Sequence, residues 1–284
     1  MGYDYGKIWV AGASGRVGTM IRNELDMRDV ELFETDLEDV DITSAKDVTM
    51  FGLRNRPNTI INCAGIDPEA CEENVEMAYK VNALGARNLA AIARKIDARI
   101  IQLSTDDVFS TSEDRTFHEF DMPNPVAVYG KTKLAAEAFV KELAPKHLII
   151  RSSWIYGKSG KNFVNDVMEK ADAGEEIVAA TDEYAIPTSA KEISKVILRL
   201  IQEEQDGIYH AVCGGTRCSR YELAKEVLRL MGKEDVTLIG KKRVEIRPDL
   251  NGADYTVLDN MMLRMCGIKG PVEWKEALKE YILG

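Results

Sequence analysis

A strand-length run, Lys7–Ala11, leads straight into Gly12-Ala13-Ser14-Gly15-Arg16-Val17-Gly18. Glycines at this GxxGxxG spacing, between a strand pattern and a helical one, leave few paths open to the chain. Gly12 permits a tight turn, Gly15 lets the backbone approach a pyrophosphate, and Gly18 lets the new helix pack close to the strand. The helix opening at Arg16 and Val17 offers unpaired N–H groups to phosphate. The spacing therefore predicts a dinucleotide-binding strand–turn–helix unit at the head of a sheet.

The rest of the first half repeats that alternation. Runs at 30–33, Thr59–Asn62, 99–103 and 147–151 read as strands. Helical patterns cover 16–27, 44–53, 71–96 and Val128–Leu143. This order predicts an α/β fold, a doubly wound parallel sheet of Rossmann type with helices on both faces. After Tyr156 the pattern weakens, with helices expected at 191–204, 221–231 and 272–282 and a strand at 209–212. The expectation is an NAD(P)-binding domain over 1–155 and a smaller α/β substrate-binding lobe over 156–284, with 189–207 packing back onto the first domain.

Composition narrows the function. The 284 residues are 45% hydrophobic, which excludes a disordered chain. Lys+Arg number 37 against 47 Asp+Glu, a net charge of -10, so binding to a nucleic-acid backbone is not expected. No apolar run approaches the roughly 20 residues of a membrane span, and no membrane partner is expected. Cys63, Cys71, Cys213, Cys218 and Cys266 are odd in number and form no CxxC pair. Reduced thiols in a cytoplasmic protein are expected, with no disulfide framework and no metal site.

Two further segments carry chemistry. Tyr129 and Lys133, in Tyr129-Gly130-Lys131-Thr132-Lys133, share a helix face at i and i+4. A phenol beside an ammonium is a competent general acid, and the positive charge is expected to lower the Tyr129 pKa. Lys133 is also placed to hold a nicotinamide ribose. Thr105 ends the fourth strand, where a hydroxyl faces the ligand crevice of a doubly wound sheet. A Thr there also caps strand-to-loop turns. Asp36 lies near the position at which a carboxylate binds the adenosine ribose and favours NADH; Arg16 can instead reach the 2′-phosphate of NADPH. Both cofactors stay open on the residues alone.

These three elements resemble an extended short-chain dehydrogenase/reductase. Longer stretches narrow the resemblance to the dTDP-4-dehydrorhamnose reductase family: Asp41-Ile42-Thr43, Ile61-Asn62-Cys63-Ala64, Lys80-Val81-Asn82-Ala83, Ser104-Thr105-Asp106, Tyr129 to Leu134, Arg151 to Gly157, Asp182 to Thr188 and Arg247-Pro248. The resemblance covers nearly the whole chain. It implies that Gly15, Arg16 and Val17 touch the cofactor pyrophosphate and that Asp41 and Ile42 frame the adenine. Cys63, Ala64 and Gly65 would line the nicotinamide half. Thr105 and Asp106 would contact the sugar, Tyr129 would protonate its C4 oxygen, and Lys133 would support Tyr129. Trp154 would pack against the sugar ring, although a lone Trp is also a core residue. Arg247 would meet the nucleotide diphosphate, although a surface arginine needs no ligand.

The implied activity is NAD(P)H-dependent reduction of a 4-keto-6-deoxy nucleotide sugar, with dTDP-4-dehydro-L-rhamnose to dTDP-L-rhamnose as the leading assignment. A homodimer is compatible with the resemblance. Three departures from the family pattern fall near the sugar: Asp107 where Tyr is usual, a shorter 64–70 loop, and Glu183 and Ala185 in place of Gln and Gly. Asp107 would be unfavourable near a diphosphate unless it pointed away or met a cation. Thr105-Asp106-Asp107 also resembles the acid run of nucleotide-sugar 4,6-dehydratases, so a dehydratase or epimerase is an alternative. A non-catalytic relative similar to the regulatory subunit of methionine adenosyltransferase is another.

Overall fold

The computed structural model describes residues 4–25, 30–248 and 252–284. The first half runs β1 (Lys7–Ala11), α1 (Arg16–Leu25), β2 (Glu31–Thr35), α2 (Ala45–Asn55), β3 (Thr59–Asn62), α3 (Pro68–Glu73), α4 (Val75–Ala78), α5 (Ala86–Ile96), β4 (Arg99–Thr105), β5 (Thr116–Phe117), α6 (Val128–Leu143), β6 (His147–Ser152) and β7 (Ile155–Tyr156). There follow α7 (Phe163–Ala173), β8 (Ile177–Ala180), β9 (Tyr184–Ala185), β10 (Thr188–Ser189), α8 (Ala190–Gln202), β11 (Gly207–His210), β12 (Cys218–Ser219) and α9 (Arg220–Met231). The chain ends with β13 (Leu238–Lys241), α10 (Arg243–Ile246), β14 (Val257–Leu258), α11 (Met261–Met265) and α12 (Trp274–Leu283).

Six strands form one parallel sheet in the order β11-β6-β4-β3-β1-β2. Ile60, Ile61, Ile100 and Ile101 are fully buried, as strands covered on both faces require. On one face Val17, Ile21 and Leu25 of α1 pack with Ile193, Ile197 and Leu200 of α8. On the other, Val48 of α2, Leu89 and Ala93 of α5 and Val140 of α6 cover the sheet. The chain reverses its direction of travel across the sheet between β1 and β3, and ligands of doubly wound sheets bind at such a point.

A second core joins α7, α9 and α12 through Val164, Val167, Leu223, Val227 and Leu278. It also takes Val108, Phe109 and Phe117 from the first half of the chain. Conversely, β11 and α8 come from the second half and belong to the large sheet and its helical layer. No helix among the described residues is long and apolar enough to cross a membrane.

Several elements depart from their expected bounds. The helix expected over 16–27 is Arg16–Leu25, its last two positions lying outside the described residues. The second strand is Glu31–Thr35, and the strand expected at 209–212 is Gly207–His210. The single helix expected at 71–96 is broken. Asn74 takes φ -139° and its side chain accepts the Met77 N–H, which restarts the helix as α4. Tyr79–Gly85 then winds as a π-helix before α5. A hydrophobic pattern cannot register an extra residue per turn of this kind.

Candidate active site

The glycine turn is held by contacts that side chains would destroy. Gly12 has φ +77°, and a β-carbon there would lie 2.6 Å from the Ala64 nitrogen at the end of β3. At Gly18 it would lie 2.4 Å from the Gly12 carbonyl oxygen. Gly15 is looser, its nearest such contact being 3.3 Å. The first turn of α1 contains no carboxylate, so no side chain of the helix itself offsets its positive end. Val17 is buried beneath that turn.

Asp36 accepts from the Ser14 backbone N–H at 3.1 Å and the Ser14 hydroxyl at 2.9 Å, tying the end of β2 to the glycine turn. Arg16 donates to the Lys161 carbonyl at 2.8 Å and lies 3.6 Å from the Asp67 carboxylate. Asp41 accepts the Thr43 N–H at 2.9 Å. Ile42 is buried, and its carbonyl accepts from Asn88 of α5 at 2.9 Å. Cys63, Ala64 and Gly65 follow β3, with the Ala64 N–H on Asn62 at 3.1 Å. Burial pushes the Cys63 thiol up to about 12, so it is a neutral wall of the crevice.

Asn82 was not foreseen as a site residue. It projects from the π-helix, accepts the Ile66 N–H at 3.1 Å and donates to the Thr132 hydroxyl at 3.0 Å. One side chain thereby joins the 64–66 loop to α6. The N-terminus of α6 has no side-chain cap of its own at Ala127; Glu72 of α3 accepts the Val128 N–H at 2.6 Å instead.

Gly130 brings α6 against the turn after β4. A β-carbon on Gly130 would sit 2.0 Å from the Asp107 carbonyl oxygen. That approach sets α6 against the turn that follows Thr105, the last residue of β4, and Tyr129 lies in the field of Asp107 and Asp106 from that turn. Tyr129 is half-buried and Lys133 almost fully so. Burial lowers the Lys133 pKa to about 8, against the pull of Cys63, Glu137 and Cys71. Its ammonium makes no hydrogen bond or salt bridge among the described residues. The expectation for Tyr129 is corrected: its pKa is raised, by burial first and then by Asp107, with Arg16 opposing. Two acids lie on the phenol's side of the crevice, and their field adds to the cost of desolvating a phenolate.

Beneath Lys133, one helical turn on, Glu137 is fully buried and accepts from Arg151 of β6 at 2.9 and 2.7 Å and from the Ser104 hydroxyl at 2.6 Å. This network ties α6 to β4 and β6 under the crevice.

Facing Asp107 are Arg220, Glu183 and Arg247, and Trp154 packs against the Arg220 guanidinium. Trp154 has φ +43°, a strained value for a bulky residue that persists only where the surroundings over-determine it. The Arg220 guanidinium lies 3.6 Å from the Trp154 ring centroid and 5.0 Å from that of Phe163. Burial pushes Arg220 down to about 10. Arg247 is bound to Glu183 at 2.5 and 2.7 Å and lies 3.7 Å from Glu69. Asp107 does meet cations electrostatically, Arg220 and then Arg247.

The model for the family described as "RmlD substrate binding domain" matches residues 6–283. A solved dTDP-4-dehydrorhamnose reductase from Clostridium acetobutylicum is 40% identical, with a TM-score of 0.93 over 97% of this chain and 98% of that one. This chain belongs to the dTDP-4-dehydrorhamnose reductase family. A family structure from Bacillus anthracis, in complex with NADP, is 31% identical with a TM-score of 0.94 over 98% of both chains. The dTDP-4-keto-6-deoxy-D-glucose reductase of Streptomyces niveus is 31% identical over 95% of this chain and 94% of its own length.

Within this reductase fold Asp36 is tied to the glycine turn, Lys133 lies in the field of Cys63, and Tyr129 lies in the fields of Asp107, Arg16 and Asp106. Arg247 is held by carboxylates rather than left open. Arg220, Asn82, Glu72 and the Glu137–Arg151 pair were missed. Gly130 was visible within the Tyr129–Lys133 motif, but its role depends on the distant Asp107 carbonyl.

Proposed function

We propose that this chain reduces the C4 ketone of a dTDP-4-keto-6-deoxy sugar with NADPH or NADH, and that the sugar is dTDP-4-dehydro-L-rhamnose. The observation that carries the reading is a glycine turn that admits no side chain, together with the close backbone approach of Gly130, between Tyr129 and Lys133, to the Asp107 carbonyl just after Thr105. The residues fit a dinucleotide: a β-carbon at Gly12 or Gly18 would fill the cradle, and the first turn of α1 presents N–H groups without a carboxylate. The bound nicotinamide supplies the hydride.

In this reading Gly12, Gly15, Arg16, Val17 and Gly18 receive the pyrophosphate, and Asp36, Asp41 and Ile42 flank the adenosine end. Cys63, Ala64 and Gly65, with Tyr129 and Lys133, border the nicotinamide end. Thr105 hydrogen-bonds the sugar's carbonyl oxygen, and Tyr129 donates its proton to that oxygen as charge develops on it. The raised pKa of Tyr129 keeps the phenol protonated in the free protein, the form a reductase needs. Lys133, low enough in pKa to exchange protons near neutrality, sits one helical turn away to restore the phenol's proton. Asp106 and Trp154 border the sugar, and Arg247 reaches the nucleotide diphosphate on release from Glu183. Residues 1–155 supply the cofactor half and 156–284 the substrate lobe, with 189–207 returning to the first.

The test is oxidation of added NADPH and NADH by the purified chain with dTDP-4-keto sugars, for wild type and Tyr129→Phe. Stoichiometric oxidation is expected, with turnover at least about 100-fold lower in the variant while cofactor affinity holds. Full activity in Tyr129→Phe, or turnover of sugar without net cofactor oxidation, would overturn it.

A further inference from the structure

The hydroxyl of Thr105 has more partners than one proton can serve. Its oxygen lies 3.1 Å from Asp106 Oδ1 and 3.0 Å from Asp107 Oδ2, and it accepts the Asp107 backbone N–H at 3.2 Å. A hydroxyl offers one proton and two lone pairs. With both carboxylates ionised, one of them takes the proton and the other faces a lone pair in a largely buried site. A single added proton closes the arrangement. One carboxyl donates to Thr105, Thr105 donates to the other, and the Asp107 N–H occupies the remaining lone pair.

No cation of the surroundings is in direct contact with the pair. Asp106 is 3% exposed, and its second oxygen accepts from the Thr256 hydroxyl at 2.5 Å. Among the described residues neither carboxylate has a basic side chain within 4 Å. The charged and titratable groups that face the pair are Arg220 at the start of α9, Arg247 beyond α10, Glu183 before β9 and Tyr129 on α6. The arginines favour ionisation of Asp107, and Glu183 opposes it.

We propose that Asp106 and Asp107 share one proton across Thr105, and that Asp107 is a positioning residue that sets the direction of the Thr105 hydroxyl. The functional half of this rests on the reductase reading. With the proton in place, one carboxyl donates to the Thr105 oxygen and only one carboxylate still accepts the hydroxyl proton, so the sugar's carbonyl oxygen has a single acceptor to displace. When the proton is lost, two carboxylates compete for that hydroxyl, and it is withheld from the substrate. Burial and then Asp107 raise Asp106 to about 7, which puts the loss near neutrality. Turnover is therefore high below neutrality and falls as the pair ionises above it.

Two measurements test the idea. Infrared spectra of the ligand-free protein should contain the carbonyl stretch of a protonated carboxyl that disappears as pH rises through neutrality. Its midpoint should drop by about one pH unit or more in Asp106→Asn and in Asp107→Asn, because each loses the neighbouring charge. An absent band in wild type, or a midpoint unmoved by either substitution, would overturn the shared proton. In the assay, the ratio of kcat at about pH 6 to kcat at about pH 8 should approach tenfold in wild type and fall towards one in Asp107→Asn. Asparagine donates its N–H at both pH values. A wild-type ratio near one, or an undiminished ratio in Asp107→Asn, would overturn the positioning role and assign any fall to Lys133. If the infrared behaviour holds but no keto sugar is reduced, the reductase reading fails and the shared proton stands.

Discussion

Gly130 and Asp107 are in contact through backbone: the point where a Gly130 side chain would begin is 2.0 Å from the Asp107 carbonyl oxygen. Pro125 stands 3.1 Å from the same point. The spacing of Tyr129 and Lys133 puts both on one helix face, but this contact decides how closely α6 approaches the turn after Thr105.

Gly130→Ala must therefore push α6 away from the turn after β4. Overpacking of this kind costs about 1–3 kcal/mol, and misplacement of a reacting group by about 1 Å costs roughly 100-fold in rate. Thermal unfolding and steady-state turnover of the same preparation should report both losses. Wild-type kcat in a folded Gly130→Ala protein would refute the assigned role of the contact.

Lys133 links activity to stability. Its pKa falls from 10.5 to about 8 on folding, so between those values the unfolded chain binds more protons than the folded one. Stability attributable to this group therefore rises with pH across that window and is lowest below it. Lys133→Met should remove that dependence and stabilise the ligand-free protein near neutrality, by up to about 3 kcal/mol. It should also abolish turnover. Denaturant midpoints of both proteins at several pH values decide the matter; parallel pH profiles would contradict it.

The Glu137–Arg151 pair lies beneath the crevice with side chains at 0% and 2% exposure. Removing one partner strands a buried charge, and Glu137→Leu or Arg151→Met alone should cost about 3–5 kcal/mol. Together they should cost less than the sum, since neither charge then remains unpaired. Urea unfolding of the two single variants and the double gives the coupling. Simple additivity would mean that the pair does not act as a unit.

The residues that could be read in advance share a property: their partners lie close by in sequence. The glycine turn is one strand–helix junction, and Tyr129 and Lys133 are one helical turn apart. Thr105 was found because a strand's end faces the crevice whichever strands flank it. Asn82 could not be found this way. Its role comes from a π-helical turn and from Thr132, fifty residues away. Arg220 likewise gains its place only when α9 is laid against Trp154. Arg247 looked open in sequence because nothing local marks Glu183, 64 residues earlier, as its partner.

The sequence by itself determined the alternation of strands and helices, the phosphate-ready turn and the phenol–ammonium face. Each follows from periodicity, backbone freedom or spacing within a few residues. Only the tertiary structure decided that β11, from the second half of the chain, completes the sheet, and that Asp107 shares the Thr105 hydroxyl with Asp106. It also decided that Tyr129 is raised in pKa rather than lowered. Burial and the field of distant charges depend on what the fold packs around a group, and neither is a property of the group's neighbours along the chain.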